Sequence, residues 1–157
     1  MILPGAASFI TWQKDRTSHG STLSRVAHSW VLVRSDRAQS WQLFTEALRS
    51  DVADIQGGTT HEGIHLGAMA GAVDLMQRAY TGIEVRGHVL YFNLLLPDEL
   101  GRLLLRVRYR FHSLEVEITP QKLGICVLET PAGPIRISVR GEMFDLKMGE
   151  TKEVELR

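Results

Sequence analysis

The spacing of hydrophobic residues changes near Gly82, and this change most limits what the chain can fold into. Before Gly82, apolar residues recur every three or four positions, as in amphipathic helices; after it they alternate with polar residues, as in half-buried strands. Helices followed only by strands predict an α+β protein, in which three helices precede a small antiparallel β-sandwich or jelly roll. The helical pattern covers residues 23–34, 41–48 and about 62–80, and the strand pattern covers about eight segments: 83–85, 88–92, 105–111, 114–118, 122–128, 135–139, 142–146 and 153–156.

The charge balance excludes several classes of protein. The 157 residues carry 18 basic and 18 acidic side chains, and 44% of the residues are apolar. This composition excludes a disordered, collagen-like or strongly basic chain. Because the charges also balance within each half of the sequence, we expect neither nucleic acid nor an anionic membrane as a partner.

The N-terminal sequence and the single cysteine bear on location. Pro4 and Gly5 interrupt the first apolar stretch before it reaches signal-peptide length, and no segment has the length of a membrane span. Cys126 cannot form an internal disulfide, and its neighbours are typical of a buried strand. We therefore expect a cytoplasmic location and a structural thiol.

Arginines alternate with apolar residues in one strand segment, and glutamates do so in the next. If His112-Ser113 forms a two-residue turn, Arg110 pairs with Glu115 and Arg108 pairs with Glu117. The predicted hairpin then explains the arginines by cross-strand pairing and not by binding to nucleic acid.

The third helical segment is rich in small residues. Gly63, Gly67 and Gly71 stand among alanines, although a glycine inside a helix costs about 1 kcal/mol relative to alanine. Close approach of a neighbouring helix or of a ligand is the simplest compensation. A tightly packed core helix without any ligand is the alternative.

Two histidines lie at the predicted starts of helices. His19 and His65 each stand in a segment rich in glycine and hydroxyl side chains. A helix start offers unpaired N–H groups and a positive dipole end, so both segments have the composition of anion-binding sites. Helix capping by residues such as Ser21 or Thr22, with solvated histidines, is the alternative.

Other catalytic motifs are not indicated. The segment His61-Glu62-Gly63-Ile64-His65 has the letters of the HExxH zinc motif, but the glycine-rich turns before it place His61 ahead of the helix. The two histidines then need not share a face, no third ligand has suitable spacing, and we predict no metal. A GxSxG nucleophile elbow is absent, and no pair of carboxylates can be assigned to a common site.

Two segments carry a resemblance to a known family. Residues 18–24 read SHGSTLS and residues 51–71 read DVADIQGGTTHEGIHLGAMAG, and both closely resemble glycoside hydrolase family 65. This family includes the maltose, trehalose and kojibiose phosphorylases and related hydrolases. Its fold is an N-terminal β-sandwich, a helical linker, an (α/α)6 barrel with the active site, and a C-terminal β-sandwich. The resemblance implies that residues 17–82 are the last helices of the barrel and residues 83–157 the C-terminal β-sandwich.

The resemblance also implies a phosphate site. In the family phosphorylases a glutamic acid protonates the glycosidic oxygen, and inorganic phosphate attacks the anomeric carbon with inversion. The hydroxyl pair of the family's H-x-S-[ST]-L-S segment and the histidine of G-I-H help to bind that phosphate; here they correspond to Ser21, Thr22 and His65. The implied reaction is phosphorolysis, or hydrolysis, of an α-linked glucosyl disaccharide such as trehalose or maltose. Phosphate is the co-substrate, and no cofactor is implied.

One part of the chain departs from the family. Residues 1–16 do not match the barrel sequence expected before His19, and the family's catalytic glutamate lies upstream of anything present. The chain therefore resembles a C-terminal fragment or one piece of a split enzyme. We expect it to be inactive alone and to have the missing catalytic portion or a second copy as its partner.

Two other interpretations stay open. The first is a free-standing interaction or carbohydrate-binding module based on the β-sandwich. Exposed aromatic residues would support this interpretation, but the alternating pattern predicts a core position for Tyr91, Tyr109 and Phe111. The second is a chain without an independent role. Without the missing barrel helices, the aromatic side chains of Trp30, Trp41 and Phe44 would be exposed, and the chain would self-associate.

Overall fold

The computed structural model describes residues 21–55, 57, 61, 63–129 and 131–156 of the chain. The chain divides into two compact units, Met1–Tyr80 and Thr81–Arg157. In the described part of the first unit the regular elements are helices, and in the second they are strands. The α+β class predicted from the hydrophobic spacing is confirmed. Segment 1–16, which the sequence predicts to be atypical of the family, lies outside the described residues.

Side-chain caps begin the first two helices. Ser21 Oγ accepts the N–H of Leu23 at 3.2 Å, and Asp36 Oδ1 accepts the N–H of Gln39 at 3.0 Å. No helix among the described residues is long and apolar enough to cross a membrane. The helices of the described residues are α1 (Thr22–Leu32), α2 (Arg37–Arg49) and α3 (Leu66–Asp74), and α3 continues into a π-helical segment, Leu75–Tyr80.

Helix α3 begins later than the sequence pattern predicts. The expected start is residue 62 or 63, but Gly63 takes a φ of 104°, which is incompatible with a right-handed helix. His65 is the N-cap residue of α3, and its side chain accepts the N–H of Ala68. The helix therefore starts at Leu66.

Polar contacts show that α1 and α2 are antiparallel. The hydroxyls of Ser29 and Ser40 each donate to the other residue's carbonyl oxygen at 2.9 Å. One turn earlier in α1, Arg25 Nε lies 3.4 Å from Glu46 Oε2, which is more than one turn later in α2. The contacts move backwards along one helix as they move forwards along the other, so the two helices run in opposite directions.

Helix α3 and its π-helical extension run in the same direction as α1. Gly71 packs against Val26 so closely that a Cβ on the glycine would lie 2.7 Å from Val26 Cγ1. Further along both helices, the guanidinium carbon of Arg78 lies 5.5 Å from the centre of the Trp30 ring. The contacts advance along both helices together. The starts of α1 and α3 and the end of α2 therefore lie at the same end of the helical unit.

Tyr80 is at the centre of the helical core. Its side chain is fully buried, and its hydroxyl oxygen lies 3.1 Å from Ser40 Oγ. The ring of Phe44 packs edge-on against it at 5.7 Å and is only 3% exposed. The expected exposure of Phe44 is therefore wrong, because Tyr80 covers it. Trp30 and Trp41 are half-buried.

The described residues of the second unit form two four-stranded sheets around a common core. The strands are β1 (Ile83–Arg86), β2 (Val89–Phe92), β3 (Leu103–Tyr109), β4 (His112–Ile118), β5 (Lys122–Val127), β6 (Ile135–Val139), β7 (Glu142–Leu146) and β8 (Thr151–Glu155). The strand orders are β1-β2-β6-β7 and β3-β4-β5-β8, and neighbouring strands are antiparallel except β2 and β6, which are parallel. The small β-sandwich is therefore present, with one parallel pair in an otherwise antiparallel fold.

The hairpin between β3 and β4 turns two residues earlier than the sequence predicts. Arg110 and Phe111 form the turn, and Arg110 takes a left-handed φ of 55°. Arg106 therefore stands opposite Glu115, at 3.3 Å, so the predicted register is wrong. His112 stays in β4 because its ring is buried and bonds a loop carbonyl oxygen. The turn moves by an even number of residues, so the predicted inner and outer faces of both strands are unchanged.

The three aromatic residues expected in the β-core differ in burial. Tyr109 is buried, and Tyr91 is half-buried. Phe111 is 79% exposed, so its predicted core position is wrong. The cause is the register: Phe111 belongs to the turn and not to the ladder.

Candidate functional site

The predicted hydroxyl pair lies at the start of α1. Ser21 is exposed, and its Oγ accepts the N–H of Leu23, which leaves the hydroxyl proton free of any partner in the described part of the chain. The Ser24 hydroxyl donates to the Ser21 carbonyl oxygen at 2.7 Å. Thr22, the first helical residue, is 3% exposed. Capping is thus present at Ser21, and it leaves an O–H group that can still donate to an anion.

His65 has the corresponding position at the start of α3. Its Nδ1 accepts the N–H of Ala68 at 3.1 Å. A nitrogen that accepts a hydrogen bond carries no proton, so the proton of the neutral imidazole is on Nε2. The side chain is exposed. His65 therefore caps α3 with one ring nitrogen and presents an N–H donor on the other.

Asp51 fixes the backbone of His65. Its Oδ2 accepts the N–H of His65 at 2.8 Å, which joins the segment after α2 to the start of α3. The family motif points to the histidine, but this carboxylate contact is not evident from the sequence. Gly67 contributes to the same local packing, since a Cβ there would lie 3.3 Å from the His65 ring.

The predicted site residues lie at one end of the helical unit. Ser21 and Thr22 begin α1, and His65 precedes α3, which runs parallel to α1. Two helix starts with the same orientation direct two positive dipole ends and several unpaired N–H groups toward this end. Such an arrangement favours an anion over a neutral ligand.

Sequence reasoning missed a buried charge near this end. Arg25 lies one turn after Thr22 on the buried face of α1, and its Nε contacts Glu46 Oε2 at 3.4 Å. Its Nη1 is buried and has no hydrogen-bond partner in the part of the chain that the structure describes. The sequence contains a signal for it, because Arg25 precedes Leu32 by seven residues and therefore lies on the same face of the helix.

The structure assigns no site to the remaining candidate residues that it describes. His19 lies outside the described residues, as does Glu62 of the HExxH-like segment. Among the residues that the structure describes, no group of three metal-binding side chains comes together. Cys126 is half-buried in β5.

The shifted pKa values of the β-unit belong to surface ion pairs. The Arg102 guanidinium bonds Glu117 at 2.7 Å and lowers the pKa of that carboxyl. Arg136 bonds both oxygens of Asp145, at 2.8 and 2.9 Å, and lowers its pKa in the same way. These exposed pairs stabilise the ladders of the two sheets by small amounts.

Comparison with known structures supports the fold of the chain. A solved structure titled "Putative kojibiose phosphorylase from human microbiome" matches 93% of this chain and 19% of its own length, with a TM-score of 0.77. The two sequences are 20% identical over the match, so this likeness concerns the fold.

Sequence relatives are much longer than this chain. An uncharacterized glycosyl hydrolase of Mycobacterium tuberculosis is 46% identical over 97% of the chain, which spans 11% of that protein. The trehalose 6-phosphate phosphorylase of Lactococcus lactis is 29% identical over 90% of the chain and 18% of its own length. The α,α-trehalose phosphorylase of Thermoanaerobacter brockii is 29% identical over 87% of the chain and 17% of its own length.

The family assignment rests on both units. Residues 7–74 match the glycosyl hydrolase family 65 central catalytic domain, and residues 83–146 match the glycosyl hydrolase family 65 C-terminal domain. The two matches follow the same order along the chain as the helical unit and the β-unit. The chain therefore belongs to glycosyl hydrolase family 65.

Proposed function

We propose that this chain is the C-terminal part of a family 65 enzyme that cleaves an α-linked glucosyl disaccharide, such as trehalose or maltose, by inverting phosphorolysis. Three similar proteins are named as phosphorylases, from Lactococcus lactis, Thermoanaerobacter brockii and Bacillus selenitireducens. In the proposed enzyme, this chain supplies part of the phosphate-binding site, and other parts of the enzyme supply the general acid. Hydrolysis, with water in place of phosphate, is the alternative, since the relative from Mycobacterium tuberculosis is named as a glycosyl hydrolase.

In the proposed mechanism the residues of this chain bind and orient phosphate. The Ser21 and Thr22 hydroxyls and the Nε2–H of His65 donate to the phosphate oxygens, and the two helix starts add favourable dipoles. Held in this way, phosphate is positioned to attack the anomeric carbon from the face opposite the leaving group, which inverts the configuration. The general acid that protonates the leaving oxygen is a glutamic acid supplied by another part of the enzyme.

The observation that carries this proposal is the arrangement of His65. Two contacts hold it: Nδ1 with the Ala68 N–H at 3.1 Å, and its backbone N–H with Asp51 Oδ2 at 2.8 Å. The first contact orients the ring and leaves Nε2 as the free donor, and the second holds the backbone, at the end of the unit where α1 also begins. Helix capping accounts for the Nδ1 contact, and the Nε2–H donor at the same end as a second helix start is the group that phosphate would use.

Calorimetric titration of the chain with inorganic phosphate, at constant ionic strength, tests the proposal. We expect saturable binding that weakens about tenfold or more in His65→Ala and in Ser21→Ala, because each loses a hydrogen bond to a charged group. Ser35→Ala, at the far end of α1, is the matched control and should bind as the wild type does. Absence of saturable phosphate binding, or equal weakening in the control, contradicts the proposal.

The chain alone should not catalyse the reaction. With phosphate and either trehalose or maltose, we expect no glucose 1-phosphate above the His65→Ala background, because the proposed general acid is elsewhere. Turnover above that background would show that this chain carries its own general acid.

A further inference from the structure

A cavity lies in the β-unit, and none of its lining residues belongs to the proposed phosphate site. Its volume is about 220 Å³. It lies where the β3–β4 hairpin meets the start of β6 and the end of β7. Its lining includes His88, Tyr109, Arg110, His112, Arg136 and Asp145.

Two buried side chains of this cavity lack hydrogen-bond partners. Tyr109 and His112 stand directly opposite each other in the β3–β4 ladder, and each is only 9% exposed. Within the described part of the chain, neither Tyr109 Oη nor His112 Nδ1 has a hydrogen-bond partner. Native structures rarely leave buried polar atoms unpaired, and residues opposite each other on one face of a ladder are neighbours. The pair therefore indicates a missing polar group.

The proton positions define what that group must be. His112 Nε2 lies 2.7 Å from the Gly133 carbonyl oxygen, which can only accept, so Nε2 carries the proton. Nδ1 of the neutral ring is then an acceptor, whereas the Tyr109 hydroxyl can donate. One group that both accepts from Tyr109 and donates to His112 satisfies the two atoms, and a hydroxyl does both.

Both arginines at the cavity already have partners. Arg136 is paired with both carboxylate oxygens of Asp145, at 2.8 and 2.9 Å. Arg110 lies over the Tyr109 ring, 5.2 Å from its centre, and donates to the Gly87 carbonyl oxygen at 3.1 Å. The rim thus presents both N–H donors and a carboxylate acceptor, which suits a ligand with several hydroxyls.

We propose that this cavity binds one neutral sugar residue, with one sugar hydroxyl between Tyr109 Oη and His112 Nδ1. The volume corresponds to about seven water molecules at about 30 Å³ each, which is the scale of a single pyranose ring. Neither of the two buried atoms is exposed to solvent in this structure, and the Arg110 guanidinium lies over the tyrosine ring, so the proposal requires that Arg110 moves aside when the sugar enters. This site is independent of the proposed phosphate site.

Saturation-transfer NMR titrations of the full chain with D-glucose test the proposal, with glycerol as a smaller polyol for comparison. We expect saturable binding of glucose that weakens about tenfold or more in Tyr109→Phe and in His112→Gln; glutamine keeps a donor for Gly133 but loses the Nδ1 acceptor. Tyr91→Phe, a half-buried tyrosine outside the cavity, should bind as the wild type does. Absence of saturable binding, equal binding of glycerol, or wild-type affinity in both cavity variants overturns the proposal.

Thermal unfolding without sugar separates binding from folding. Tyr109→Phe removes only an unpaired oxygen, so its unfolding temperature should equal or exceed that of the wild type. A lower unfolding temperature would show that the hydroxyl already has a partner in the chain, and it too would overturn the proposal.

Discussion

His65 shows, at the scale of one residue, how a side chain can both stabilise the fold and serve a site. Its match to the family's G-I-H segment implies a role in phosphate binding, whereas its capping role could not be predicted, because the sequence pattern starts the helix at residue 62 or 63. The contact with Asp51 could not be predicted, because the two residues are 14 positions apart and the path of the intervening segment sets their distance. The burial of Arg25 Nη1 without a partner among the described residues likewise depends on tertiary packing.

Asp51 is expected to act as a positioning residue for His65. In Asp51→Ala the backbone N–H of His65 loses its acceptor, and phosphate affinity should fall severalfold because the imidazole is less fixed. Asp51→Asn keeps an oxygen acceptor and should retain most of the affinity. Calorimetric dissociation constants for phosphate, with circular dichroism to check folding, compare the two. Equal affinities in the two variants would show that the contact does not position His65.

The Arg136–Asp145 pair predicts part of the acid sensitivity of the β-unit. Arg136 lowers the pKa of Asp145 in the folded chain, below the usual value of about 3.9. The unfolded chain therefore binds the proton more readily, and the stabilisation present above pH 4 or so is lost as the pH falls through the lowered value.

Asp145→Asn should flatten this acid limb. Thermal unfolding between about pH 2 and pH 5 should show a smaller decrease in unfolding temperature for the variant than for the wild type. Glu142→Gln, at an exposed carboxylate without an ion pair among the described residues, is the matched control. The same slope in Asp145→Asn and the wild type would contradict the assigned contribution.

At the scale of elements, hydrophobic spacing predicts type and face better than ends and partners. The helices of the described residues follow the 3.6-residue period, and strands such as β3, β4 and β5 follow the 2-residue period, because burial of one face decides both; β1 and β6 alternate less regularly. The β3–β4 turn could not be placed, since it depends on Arg110 adopting a left-handed φ. The parallel β2–β6 pair is likewise not encoded in the pattern of either strand.

Gly71 is expected to be required by the packing of α3 against α1. In Gly71→Ala the new Cβ meets Val26 Cγ1 at 2.7 Å, and the overpacking cost of about 1–3 kcal/mol exceeds the helix-propensity gain of about 1 kcal/mol. Denaturant unfolding should therefore show a net loss of about 1 kcal/mol. Gly101→Ala, where a Cβ meets nothing within 4 Å, should change the free energy of unfolding little.

A second substitution tests the cause of that loss. Val26→Ala removes the clashing methyl groups, so Gly71→Ala should be neutral or stabilising in the Val26→Ala background. If the two free-energy changes simply add, contact with Val26 is not the reason for the glycine.

At the scale of the whole molecule, each unit has its own core, but the helical unit also exposes large apolar side chains. Val31, Leu66 and Val73 are more than half exposed on α1 and α3. The chain spans less than a fifth of the length of the phosphorylases it resembles. Exposed apolar side chains of this size are typical of a surface that further helices would cover.

The chain is therefore expected to self-associate through its helical unit. Sedimentation velocity should show a concentration-dependent mass, and Val31→Lys with Val73→Lys should shift the equilibrium toward the monomer. Val85→Lys, an equally exposed valine of the β-unit, is the matched control and should have little effect. A wild-type monomer at all concentrations would contradict the expectation.

The most direct test of the central claim is a residue-resolved NMR titration of the full chain with inorganic phosphate. The account predicts saturable shifts of the amide signals of residues 22–24 and 66–68 and of the His65 ring, with one common dissociation constant. Shifts confined to other residues, or none at all, would contradict the claim that this chain holds the phosphate of a family 65 enzyme.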